Sequence, residues 1–118
     1  MVGGLYPKRR LRSLIKQGEY LQAIEFGRSL ESKFANDADY HFIMGSIFYI
    51  MEDAKKALGY FDRSLELSDK DAETWLLKGN IHLFLQEKNE VLECCNRILD
   101  IDHDNIDAKR LLEKLRDL

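Results

Sequence analysis

Three histidines, two cysteines and 21 acidic residues are the groups in this chain with the chemistry for catalysis or metal binding. Catalysis asks for a nucleophile beside a base, paired carboxylates in a cleft, or a metal. His41, His82 and His103 are scattered, and none begins a His-Glu-x-x-His run, whose spacing would set two imidazoles on one helix face. Cys94 and Cys95 are adjacent, which matches neither the gap of a zinc knuckle nor the separated pairs of a disulfide framework. They read as buried, reduced thiols, so a reducing, cytoplasmic setting is the expectation. Gly3-Gly4 sits at a terminus expected to fray and forms no phosphate-binding loop. The residues therefore point to no catalytic group, no metal and no cofactor, and the chain reads as a non-enzyme.

Charge is distributed unevenly. Residues 1–16 hold Lys8, Arg9, Arg10, Arg12 and Lys16 and no acidic side chain, whereas the rest carries 13 basic and 21 acidic residues. The basic start alone would suit phosphate, but the acidic remainder would repel it, which argues against nucleic acid. The longest stretch without a formal charge, Tyr40 to Met51, is too short for a bilayer, which takes about 20 apolar residues. It reads as a buried helix. No charged start followed by an apolar signal core is visible, so no leader and no membrane anchor are expected.

The elements that must position any site follow from self-similarity. Gly18-Glu19-Tyr20, Glu52-Asp53-Ala54 and Gln86-Glu87-Lys88 recur 34 residues apart, each between helical patterns. Ala23, Ala57 and Val91 keep that register, as do Ile24, Leu58 and Leu92, then Leu14, Phe48 and His82, and Leu11, Gly45 and Gly79. With 45% hydrophobic residues and a single proline, Pro7, the chain has few helix breakers. Amphipathic spacing predicts helices near 7–17, 20–34, 38–51, 54–67, 72–85 and 89–100. Pro7 suits a first turn, and Asp37, Asp71 and Asp104 are the expected N-caps. Beyond the third unit, Ala108, Leu111, Leu112 and Leu115 share one face of a last helix near 105–117, the polar-sided closure that a repeat array needs.

The stretch Trp75-Leu76-Leu77-Lys78-Gly79-Asn80, with Ala57-Leu58-Gly59-Tyr60-Phe61, resembles the tetratricopeptide-repeat family. The resemblance implies one all-α domain over residues 1–118, a right-handed superhelix of three helix-turn-helix repeats (about 4–37, 38–71 and 72–105) with a solvating C-terminal helix. Gly45 against Ala57, and Gly79 against Val91, are the expected close crossings. The family's proline is replaced by Ala35, Asp69 and His103. The first unit has Leu11 in place of glycine and Gly27 in place of an aromatic.

The resemblance also implies a site. First helices of successive repeats line a concave groove that takes peptides or helices. By register it comprises Lys8, Arg12, Ile15 and Lys16, then Phe42, Ser46, Tyr49 and Ile50, then Leu76, Asn80, Leu83 and Phe84. The partner is then another protein's segment with apolar anchors, held by an adaptor or chaperone-like scaffold with a basic N-terminal end. The rival reading is a subunit that self-associates through the groove or the last helix. Co-chaperones of this family grip a C-terminal carboxylate with polar and basic residues. Here Lys8 fits the first basic position, but Arg12 stands where that pattern has an asparagine, Ile43, Glu73 and Leu77 occupy the other expected polar or basic places, and Glu73 would repel a carboxylate.

Overall fold

The computed structural model describes residues 6–118, so Gly3-Gly4 and the start of the first repeat near residue 4 lie outside the described residues. Among the described residues there are seven α-helices and no strand. They are α1 Pro7–Lys16, α2 Tyr20–Ser29, α3 Ala38–Ile50, α4 Ala54–Leu67, α5 Ala72–Phe84, α6 Lys88–Ile101 and α7 Ile106–Leu115. The chain forms two compact units, Met1–Leu67 and Ser68–Leu118. The first unit holds α1 to α4 and the second α5 to α7.

One turn closes each helix pair, three times over. Gly18, Glu52 and Gln86 all have left-handed backbones, with φ of 78°, 60° and 60°. Each helix ends by the same two bonds: Gly18 N to Ile15 O (2.9 Å) and Glu19 N to Leu14 O (2.9 Å), Glu52 N to Tyr49 O (3.1 Å) and Asp53 N to Phe48 O (2.9 Å), Gln86 N to Leu83 O (3.0 Å) and Glu87 N to His82 O (2.9 Å). This is the Schellman arrangement, which satisfies the last carbonyls of a helix. Only the first turn has the glycine that the conformation favours.

Helix starts follow the same register with one correction. Asp37 accepts from Tyr40 N (3.1 Å) and Asp71 from Glu73 N (3.1 Å). The cap of α7 is Asn105, which accepts from Ala108 N at 2.9 Å, and not the expected Asp104. Helix α2 also stops at Ser29 rather than 34, and residues 30–36 run as turns. Where a proline was expected, the loop carbonyls of Ala35 and Asp69 accept hydrogen bonds from His41 Nε2 and Trp75 Nε1, each at 2.8 Å. A ring N–H from the following helix fixes the loop, and the carbonyl acceptor requires a proton on His41 Nε2.

In unit 1, α3 is apolar on several sides because it is sandwiched. It buries Tyr40, Ile43, Met44, Ile47 and Phe48, and packs against α1, α2 and α4. The nearest group at the Gly45 crossing is Phe61: a Cβ there would lie 2.6 Å from Phe61 Cδ1 and Cε1. The first repeat reverses this pair. Leu11, in the register of Gly45, is fully buried, and Gly27, in the register of Phe61, leaves it room: a Cβ on Gly27 would lie 3.4 Å from Leu11 Cδ1 and would clash with Met44 Sδ. Large and small have changed places across the crossing, so one bulky side chain still fills it. The close approach is also sealed by Tyr40 OH, which donates to Gly27 O at 2.7 Å.

In unit 2, α6 lies against α5, and α7 closes over both. Gly79 faces Leu111 Cδ2 (2.7 Å from a built Cβ) and Cys94 Cβ (3.2 Å), and not the expected Val91. Val91, Cys95 and Leu111 form the core, with Leu76, Leu83, Leu112 and Leu115 packed against it. Cys94 is as buried as Cys95, at 1% and 0% exposure. His82 is buried as its register with Leu14 and Phe48 implied, and its Nδ1 sits 2.9 Å from Glu87 Oε1.

Candidate functional site

Unit 1 brings the first helices of two repeats side by side. Helix α1 touches α3 directly, and three ion pairs tie them: Lys8 Nζ to Asp37 (2.8 Å), Lys8 Nζ to Asp39 (3.4 Å), and Arg12 to Asp39 (2.6 Å). The Arg12 guanidinium reaches both carboxylate oxygens of Asp39. The Lys8 ammonium is held above its usual pKa by its bond to Asp37, against the cost of desolvation. Burial pushes Asp37 up, yet Lys8 and the Tyr40 amide outweigh it, so the carboxyl lies below its ordinary value. The basic stripe anticipated at Lys8 and Arg12 is therefore neutralised within its own unit. Lys16, a turn further along α1, is exposed.

The apolar members stand beside this network. Ile15, Phe42 and Tyr49 are half-buried, and Ile50 is exposed. Phe42 and Tyr49 flank the buried Phe61, with ring centroids 6.0 and 6.4 Å from it. Their inner edges are thus fixed by the core and their outer edges remain accessible. Ser46 spends its hydroxyl on its own helix, donating to Phe42 O at 2.8 Å.

Unit 2 treats its set differently. Leu76 and Leu83 are half-buried and pack against the core that includes Leu111 of α7. The C-terminal helix is therefore one burial partner of this apolar face. Asn80 is half-buried. Phe84, at 83% exposure, stands free of the core beside the exposed Leu85. Among the described residues no group of three or more His, Cys, Asp or Glu side chains is placed to hold a metal ion.

Sequence reasoning passed over Asp37 and Asp39 as counter-ions. A signal existed: Asp37 and Asp71, and Asp39 and Glu73, keep the 34-residue register, so every later first helix begins with two acids. Within unit 1, α1 sets Lys8 and Arg12 opposite Asp37 and Asp39.

Comparison with known proteins places the architecture. Residues 72–105 match the family model described as tetratricopeptide repeat. No curated protein matches the chain. Among solved structures, the first tetratricopeptide domain of Spaghetti (RPAP3) bound to the HSP90 peptide SRMEEVD has a TM-score of 0.87 at 18% identity, over 96% of this chain and 90% of that one. The second such domain of human RPAP3, in complex with the HSP70 peptide SGPTIEEVD, has a TM-score of 0.85 at 19% identity, over 95% and 93%. The Arabidopsis OM64 domain gives 0.84 at 17%, over 93% and 91%. The chain has the all-α helical-repeat fold of a tetratricopeptide-repeat domain: three helix-turn-helix repeats followed by a C-terminal helix.

Proposed function

We propose that this protein is a non-enzymatic interaction module, an adaptor or scaffold that holds a segment of another protein on the first-helix faces of its repeats. The observation that carries the reading is the α1 and α3 pair of unit 1, where Ile15, Phe42, Tyr49 and Ile50 keep accessible apolar surface on helices tied by ion pairs. Half-exposed aromatic rings braced on a buried third ring cost little entropy to immobilise, which suits them as anchors. In unit 2, Phe84 is the member of the set that is most exposed, with the half-buried Leu76, Asn80 and Leu83 contributing their outer edges.

Two neighbours of the fold carry peptides ending in Glu-Glu-Val-Asp, and tetratricopeptide folds in general serve association rather than chemistry. This chain departs from an acidic-peptide binder at Arg12, Ile43, Glu73 and Leu77. The partner we propose is a peptide or helix with apolar anchors, docked as in helix-in-groove recognition. A cytoplasmic, reducing setting belongs to the same proposal and is supported by two buried cysteines that form no disulfide. No described helix is long and apolar enough to cross a membrane. Affinity capture with wild type and with folded Phe42→Ala and Tyr49→Ala variants, read by mass spectrometry, tests the reading. A partner retained by wild type and lost from both variants supports it, and identical capture by all three refutes it. Self-association through Phe84 is the rival, and a rise of solution mass with concentration that Phe84→Ser abolishes would favour it.

A further inference from the structure

The ion-pair network on unit 1 decides what kind of charge its face accepts. Lys8 and Arg12 are cations of α1 that reach the start of α3, and each already has a carboxylate within hydrogen-bond distance. Lys8 is bracketed by Asp37 and Asp39, and Arg12 grips Asp39 through both carboxylate oxygens. The four side chains remain 30%, 53%, 29% and 42% exposed for Lys8, Arg12, Asp37 and Asp39, so a ligand can reach them. Any anionic ligand group arriving there meets cations whose charge is spent and two carboxylates that repel it. Displacing Asp39 from Arg12 would exchange one charge-assisted pair for another and leave Asp39 only its longer contact with Lys8, at 3.4 Å.

We propose that Asp37 and Asp39 determine the charge specificity of this face: they act as built-in counter-ions for Lys8 and Arg12, and so exclude anionic ligand segments in favour of neutral, apolar ones. This rests on the reading of the α1 and α3 face as a binding face. The two acids have separable roles. Asp37 also caps α3 through the Tyr40 amide, a task asparagine performs equally well. Asp39 makes no such capping bond, and its carboxylate serves the cations. Neutral amide replacements therefore remove charge while keeping shape and the cap.

The test is titration of a tetraglutamate peptide with a free C-terminus into wild type, Asp39→Asn and Asp37→Asn/Asp39→Asn, at low and high salt, with circular dichroism confirming each fold. The double variant is expected to bind the peptide at least tenfold more tightly than wild type at low salt. Salt should erase the gain, as should adding Lys8→Gln and Arg12→Gln. Equal affinity of wild type and double variant, whether measurable or absent in both, overturns the proposal. So does a gain that survives removal of Lys8 and Arg12. The peptide probe reports only on charge at the network, whereas the Tyr49→Ala capture reports on partner docking, so failure of one is distinguishable from failure of the other.

Discussion

Replacing Gly45 and Gly59 with alanine, one at a time, should move stability in opposite directions. Both lie inside helices of unit 1, so each gains about 1 kcal/mol of helix propensity from the added methyl. At Gly59 nothing lies within 4 Å of the new Cβ, and the gain is realised in full. At Gly45 the Cβ would sit 2.6 Å from two carbons of the Phe61 ring. That ring cannot retreat, because it is fully buried and flanked by Phe42 and Tyr49. Overpacking of this kind costs about 1–3 kcal/mol. Propensity cancels between the two variants, so their difference isolates the crossing at about 1–3 kcal/mol, or roughly 4–12 °C in melting temperature for a domain of this size. Thermal and urea melts followed by circular dichroism give both numbers. Adding Phe61→Leu to Gly45→Ala should couple favourably by about 0.5–3 kcal/mol, since Leu11 and Gly27 show that the crossing tolerates redistributed volume. Equal stabilisation by Gly45→Ala and Gly59→Ala would refute the packing described.

Glu52→Gly and Gln86→Gly should each stabilise by about 0.5–1 kcal/mol, because a left-handed backbone costs a side-chain-bearing residue about 1–2 kcal/mol, offset in part by glycine's entropy; denaturant midpoints check this. Native thiol labelling should be slow at both Cys94 and Cys95, since both are buried and burial pushes the Cys95 thiol up, whereas two thiols should react at once in denaturant. Alkali should destabilise the fold: burial raises Tyr40 and Tyr60 above 10, and Asp37 raises Lys8 above 10.5, so the folded state keeps protons that the unfolded chain releases. Stability conferred by these groups is complete below the unfolded values and falls as pH climbs past them, and Tyr40→Phe should weaken that alkaline limb in urea melts at stepped pH. The lowered Asp37 acts at the other end: its contribution holds above the usual carboxylate value of 3.8 and is lost as pH falls further, through its folded pKa.

The repeat was legible because each turn demands the same backbone, and residues 18, 52 and 86 mark it even where glutamate and glutamine replace glycine. What the period could not convey was compensation between positions. Leu11 and Gly27 each break the pattern, yet together they restate Gly45 and Phe61 in reverse, which is visible only when the two positions are known to touch. The Asn105 cap was available from the register of Asp37 and Asp71, and the acidic residue Asp104 beside it drew the assignment away. Side-chain identity alone also suggested a free basic stripe on α1. Its neutralisation by Asp37 and Asp39 depends on contacts between residues about 30 positions apart in the chain, which no local pattern encodes.

The central claim is that the α1 and α3 face holds a partner through apolar anchors. The most direct measurement is the dissociation rate of a captured partner from wild type and from folded Tyr49→Ala. Tyr49 is half-buried before binding, so completing its burial contributes about 1–2 kcal/mol. Dissociation should accelerate roughly five- to thirtyfold, with little change in association rate or salt dependence. A folded Tyr49→Ala protein that releases the partner as slowly as wild type would contradict the account.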